Sequence, residues 1–218
     1  MTDYAKARQH MVDSQVKTNR VIDDRVIEAL SSLPRERFVP KASAGIAYID
    51  EDIHIGSGRY LMEPMIIARL LEESRPTQSD LALVVGAGAG YGTAALASMV
   101  ETVVALEADT ALANTTQAIL SELGIDNAAV VEGTLADGYP SQGPYDLILV
   151  DGAVGWIPDD LLQQLKDNGR MLVVVSERGP VGEARIYRKA GGHISHRVLF
   201  DAATPILPGF EPKPAFQF

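Results

Sequence analysis

The stretch Leu81-Ala-Leu-Val-Val-Gly-Ala-Gly-Ala-Gly-Tyr-Gly-Thr93 constrains the fold more than any other part of the chain. Residues 81–85 are apolar without polar alternation. That is the pattern of a strand covered on both faces of a parallel sheet. Gly86, Ala87, Gly88, Ala89 and Gly90 follow at once, and Ala94, Ala95, Leu96, Ala97 and Met99 continue as a helix. A tight turn between strand and helix needs residues without a bulky Cβ, and it leaves backbone N–H groups open to a ligand. Plain packing in an alanine-rich turn is the alternative use of the same residues.

The spacing narrows the ligand. A dinucleotide fingerprint has glycines at the first, third and sixth positions. Counted from Gly86 the sixth residue is Tyr91, and counted from Gly88 it is Thr93, so neither register fits. The G-x-G-x-G pattern resembles that of S-adenosylmethionine (SAM) methyltransferases with a doubly wound sheet. A second apolar strand then ends in Glu107. Its distance from the turn is roughly the 20 residues at which an acid meets ribose hydroxyls. Hydroxyls donate and an ionised carboxylate only accepts, so the pairing is chemically sound. A solvated strand-end glutamate is the competing expectation.

Composition removes other classes. With 218 residues and 46% hydrophobic residues the chain can bury a substantial core. A net charge of −10 argues against nucleic acid, because phosphate binding relies on Lys and Arg. The absence of cysteine excludes a disulfide framework and a zinc–thiolate site and fits a reducing cytoplasm. The polar start does not resemble a signal peptide, and no apolar run has membrane-spanning length. His10, His54, His193 and His196 do not stand at metal-ligand spacing, so no metal is expected. Neither a G-x-S-x-G elbow nor a P-loop occurs.

Along the chain, residues 3–33 predict two helices, the second capped by Asp23-Asp24 and ended by Pro34. Residues 48–64 read as a substrate and cofactor loop, and Pro64 opens the next helix. Further helices are expected over 110–123 and 158–166, and strands over 128–131, 145–150 and 170–175, the last entered through an Asn168-Gly169 turn. Residues 185–188 and 196–200 predict an antiparallel pair around Gly191-Gly192. Trp156 is expected to pack. Pro205, Pro208, Pro212 and Pro214 mark an extended tail anchored by Phe210, Phe216 and Phe218.

The run Asp23-Asp-Arg-Val-Ile-Glu-Ala-Leu30, then Leu33-Pro-Arg-Glu-Arg-Phe-Val-Pro40, then Ala47-Tyr48, resembles the amino-terminal region of protein-L-isoaspartate O-methyltransferases. The likeness continues through the glycine turn, Glu107, Gly138-Tyr-Pro140, residues 144–150, Ile157-Pro158 and residues 162–173. It implies an α/β fold with a doubly wound, mostly parallel seven-stranded sheet, added N-terminal helices and an antiparallel C-terminal strand pair. One unit is expected over 1–218: helices and substrate loop to 75, a Rossmann-like core over 76–205, and a tail over 206–218. The resemblance implies methyl transfer from SAM to the free carboxylate of isoaspartyl residues in damaged proteins or peptides. It places SAM against Gly86, Ala87, Gly88, Ala89, Gly90, Glu107, Ala108, Thr134, Leu135 and Asp151, and the catalytic loop at Met62 and Glu63.

Several of these positions depart from the family pattern. In the "I-G-x-G-Q-T-I-S-Q-P" loop, Arg59 replaces glutamine, Tyr60 threonine, Met62 the active-site serine and Glu63 glutamine. Val84 replaces the acid before the first glycine, Thr134 the aspartate of "G-D-G", and Val150-Asp-Gly-Ala-Val154 stands for "V-T-A-A-A". Methionine cannot donate a hydrogen bond. A divergent member with a decayed or altered site, acting as a binding or regulatory module or methylating another acceptor, is therefore the alternative. Arg59, Glu63 and Asp151 would then mark the altered substrate choice.

Overall fold

The computed structural model describes residues 3–177, 179 and 181–212. Its N-terminal part comprises α1 (Tyr4–Met11), α2 (Asp24–Ser32), β1 (Ile53–Gly56), β2 (Arg59–Leu61) and α3 (Pro64–Ser74). Then follow β3 (Leu81–Val85), α4 (Tyr91–Ala97), β4 (Thr102–Glu107), α5 (Thr110–Glu122) and β5 (Ala128–Glu132). The chain continues with β6 (Tyr145–Val154), α6 (Asp159–Gln163), β7 (Leu165–Val175), β8 (Gly182–Ala190) and β9 (His193–Ala202).

The main sheet has seven strands in the order β5-β4-β3-β6-β7-β8-β9. The first five are mutually parallel; β8 and β9 extend the sheet antiparallel. The chain runs outward from β3 to β5 and returns on the other side of β3 as β6. That reversal opens a crevice at the carboxyl ends of the strands. Along β3, Ala82 and Val84 join the core on one face of the sheet, and Leu83 and Val85 the core on the other. This is why the run is apolar at every position.

Local chemistry sets the element ends. The Asp23 carboxylate caps α2 by accepting the Arg25 N–H, and Asp109 caps α5 by accepting that of Leu112, both at 2.9 Å. Pro64 opens α3, whose Ile66, Ile67, Leu70 and Leu71 are buried. The Gly191-Gly192 turn between β8 and β9 has both φ angles positive, as a two-residue hairpin of primed type needs.

Four expectations change. The first N-terminal helix loosens after α1 into a π turn over Val12–Val16 and a 3₁₀ turn over Lys17–Asn19. Ser14 and Thr18 hydroxyls bond back to the carbonyls of His10 and Ser14 there, and Val12 and Val16 both stay buried. The 48–64 stretch is not simply a loop: it holds the β1–β2 hairpin, separate from the main sheet. The helix expected over 158–166 is only Asp159–Gln163. β7 already begins at Leu165, and its register against β6 slips between Leu165 and Arg170 around Asn168, which has φ 67°. β8 and β9 exceed the short pair expected. Phe210 is buried, whereas Phe216 and Phe218 lie outside the described residues. Among the described residues no helix is long and apolar enough to cross a membrane, and no metal-ligand cluster occurs.

Candidate active site

The glycine turn is tied to the end of β4. The N–H groups of Gly86 and Ala87 both donate to the Leu106 carbonyl, at 2.9 and 3.0 Å. Gly86, Gly88 and Gly90 have φ of 80°, 59° and 96°, values that L side chains avoid. Thr116 of α5 holds the turn from behind, its hydroxyl donating to the Gly88 carbonyl at 2.7 Å. The turn is thus held both by the Leu106 carbonyl and by the Thr116 hydroxyl.

Glu107 ends β4 directly beside this turn and is 1% exposed, so it is not a solvated glutamate. Its Oε2 accepts the Gly88 N–H at 2.7 Å, and its Oε1 accepts the N–H groups of Ala108 and Asp109 at 2.9 and 3.2 Å. The remaining partner comes from the hairpin. Arg59, 2% exposed, donates from Nη1 to both carboxylate oxygens at 2.9 and 2.8 Å, and from Nη2 to the Gly86 carbonyl at 2.5 Å. An ionised carboxylate offers about four acceptor sites. Those of Glu107 are used within the chain, so the carboxylate is not free for ribose hydroxyls.

The β1–β2 hairpin aims Arg59. Its turn, Ser57-Gly58, has φ of 49° and 68°, and Ser57 Oγ donates to Asp109 at 2.6 Å. Ile53, Ile55, Arg59 and Leu61 are buried, while His54 lies outside against Tyr60. A second stopper comes from beyond β9. Leu207 donates its N–H to Ala153 at 2.8 Å, and Gly155 donates to Phe210 at 2.7 Å, so this segment docks along the end of β6. A Cβ on Gly86 would stand 2.7 Å from Arg59 Nη2 and 3.1 Å from Leu207 Cδ1, and one on Gly152 2.4 Å from Leu207 Cδ2. The space above the glycines is filled by the protein itself.

The other expected site residues are distributed around this point. Met62 is buried in the apolar core, and its carbonyl accepts Arg35 Nη2 at 2.5 Å. Its side chain does no polar work. Glu63 is half-buried, and desolvation, then Asp50 and Asp52, push its carboxyl up to about 7. Asp151 is buried where a Cβ on Gly92 would meet its Oδ2 at 2.6 Å. Desolvation raises it to about 7 against the attraction of Arg59 and Arg35. Thr134 is exposed at the rim, and Leu135 is buried. Glu107, Ala108 and Leu135 line a cavity of about 170 Å³ with Ser57, Arg59, Asp109 and Pro208. Small-molecule sites usually need about 300–1,000 Å³. A far larger hollow of about 990 Å³ lies elsewhere, beside Asp137, Trp156 and Gln163. In this conformation the residues around the glycine turn do not fit an adenosyl group.

The glycine turn and Glu107 stand side by side, as their spacing predicts, and Ser57 and Arg59 lie in the stretch expected to form the substrate and cofactor loop; the bonds of these two residues to Asp109 and Glu107, and the inward approach of Leu207 and Pro208, were not expected. One signal was present for Arg59. Period-2 alternation on either side of Gly-Ser-Gly puts Arg59 on the same face as Leu61.

Comparison with known proteins supplies the lineage. Residues 6–203 match the family model for protein-L-isoaspartate(D-aspartate) O-methyltransferase (PCMT). The protein-L-isoaspartate O-methyltransferase of Methylorubrum extorquens (strain PA1) is 37% identical over 208 residues, covering 95% of this chain and 91% of that protein. Its counterpart in Roseiflexus castenholzii (strain DSM 13941 / HLO8) is 35% identical over 207 residues, covering 95% and 94%. Among solved structures, a Plasmodium falciparum protein described as a protein-L-isoaspartate O-methyltransferase, in complex with S-adenosyl-L-homocysteine, superposes with a TM-score of 0.78. It is 22% identical, with 95% of this chain and 99% of that one covered, and it speaks for the fold. Glycine turn, strand-end acid, strand order and the near-complete match together make this chain a member of the protein-L-isoaspartate O-methyltransferase family, a family of SAM-dependent enzymes.

Proposed function

We propose that this chain performs its family's reaction, methyl transfer to the free carboxylate of isoaspartyl residues in damaged proteins or peptides. The observation that carries the reading is the match of residues 6–203 to the family model, on a sheet whose strand reversal sets the glycine turn at the crevice end of two adjacent parallel strands. SAM would supply the electrophilic methyl group. An isoaspartyl carboxylate is already ionised at neutral pH, with a reference value near 4, so the acceptor needs no general base. The chain's own work is then alignment and exclusion of water. This is compatible with a methionine at position 62, because a positioning site tolerates the loss of one hydroxyl better than a site built on proton transfer. The net charge of −10 favours a protein acceptor over a phosphate backbone, and a cysteine-free chain accords with a cytoplasmic setting.

A specific observation favours a second reading, a binding or regulatory module. The Arg59–Glu107 pair stands where the adenosyl group would lie. Labelled methyl transfer from SAM to an isoaspartyl peptide, with the aspartyl isomer as control, separates the two. Transfer confined to the isoaspartyl peptide supports the enzyme. No transfer to either peptide by fully folded protein, even at several-millimolar SAM where mass action would populate an opened cleft, rejects it.

A further inference from the structure

We propose that Arg59 is a built-in occupant of the cofactor cleft, and that the chain as folded excludes SAM until the β1–β2 hairpin withdraws it. The inference rests on the preceding reading only in taking this cleft as the family's adenosyl site.

Three observations converge. First, the guanidinium uses the acceptors an adenosyl ligand would need: both oxygens of Glu107 and the Gly86 carbonyl. A ribose offers neutral hydroxyls, which cannot match a cation held in a buried, two-oxygen contact with a carboxylate. Second, little space remains. Arg59 itself lines the residual cavity of about 170 Å³, and Leu207 also closes on Gly86 and on Gly152. Third, the closure is carried on a hairpin that lies outside the main sheet and packs Ile53, Ile55 and Leu61 into the core. β1 and β2 pair only with each other, and a lone two-stranded hairpin is marginal on its own. One hydrogen bond, from Ser57 to Asp109, pins the hairpin tip beside the cleft. The Nε of Arg59 is buried without a partner, so the arginine is held by its terminal nitrogens alone.

The consequence is quantitative. A ligand that binds only an opened form has its affinity reduced by the fraction of chains that are open. Breaking a buried, hydrogen-bonded ion pair makes that fraction small. Replacing Arg59 by the glutamine of the family pattern removes the competitor and leaves Glu107 with its three backbone donors.

The test is calorimetric titration with S-adenosyl-L-homocysteine, a stable cofactor product, on full-length wild type, Arg59→Gln and the double variant Arg59→Gln/Glu107→Gln. The double variant leaves no unpaired buried charge and guards against misfolding of the single one. Wild type is expected to show no saturable binding below about 1 mM, and Arg59→Gln to bind about 100-fold more tightly or better. The double variant should fall between them. Micromolar binding by wild type overturns the proposal. So does a folded single or double variant that binds no better than wild type. Methyl transfer by Arg59→Gln judges the other reading separately: restored binding without transfer rejects the isoaspartyl acceptor and leaves the arginine's role standing. Tight binding with transfer by wild type rejects the arginine's role and leaves the enzyme.

Discussion

The two sides of the cleft differ in what they retain. On the sheet side the glycine turn keeps its positive φ angles, its anchor on Leu106 and an acid in line with Gly88. On the facing side the hairpin presents Arg59, at a position where the family pattern that this loop resembles has glutamine, and Leu207 leans in from beyond β9. The sheet side is a by-product of fold geometry: a tight βα turn needs those glycines whether or not anything binds there. The facing side is under no such backbone constraint, so function is free to drift there. An intact glycine turn is therefore evidence of ancestry, and the wall opposite decides what enters.

Three substitutions press on that contrast. The largest effect is expected from Glu107→Ala. If the sheet side served only a ligand, the ligand-free protein would keep its stability. Because Glu107 partners a buried arginine, its loss should cost about 3–5 kcal/mol in urea unfolding. An unchanged midpoint would reassign the carboxylate to ligand binding alone.

Next comes Asp151→Asn. Burial lifts Asp151 from its ordinary 3.8 to about 7 in the fold. The folded state thus holds its proton more tightly than the unfolded chain does. Its contribution is intact below about pH 4, declines as pH rises, and is lost above about 7. By pH 8 the ionised carboxylate should cost the fold about 4 kcal/mol, and asparagine should recover most of it. Parallel melting curves at pH 5 and pH 8 check this. A variant that gains nothing at pH 8 would mean that Arg59 and Arg35 already neutralise the site.

The smallest effect is expected from Leu207→Ala, a loss of about 2–4 kcal/mol for the cavity left against Gly86 and Gly152. It should leave cofactor affinity low, since Arg59 still holds Glu107. Affinity that rises with this change alone would make Leu207 the principal barrier.

Much of this was legible in the residues. The uninterrupted apolar run 81–85, the glycines after it and the offset of Glu107 all report local rules, and they lead straight to β3, its turn and the end of β4. The helix cap at Asp23 and the proline opening α3 belong to the same class. What was not legible depends on long-range meeting. Arg59 reads as a loop residue until the Ser57-Gly58 turn folds the loop into a hairpin and sets its register against the cleft. Leu207 sits in a proline-rich tail that reads as extended, and only its docking on Ala153 turns it inward. The shortened α6 has the same origin. β7 begins at Leu165, whose pairing partner Tyr145 stands at the start of β6, far away in the chain.

The docking of residues 205–210 along β6 carries one more consequence, for biogenesis. Contacts between distant stretches form late, after the loops between them have closed. A chain growing from its N-terminus will have every strand of the parallel core available before Leu207 leaves the ribosome. The nascent protein therefore passes through a stage in which the glycine turn is still open on the side that Leu207 later covers.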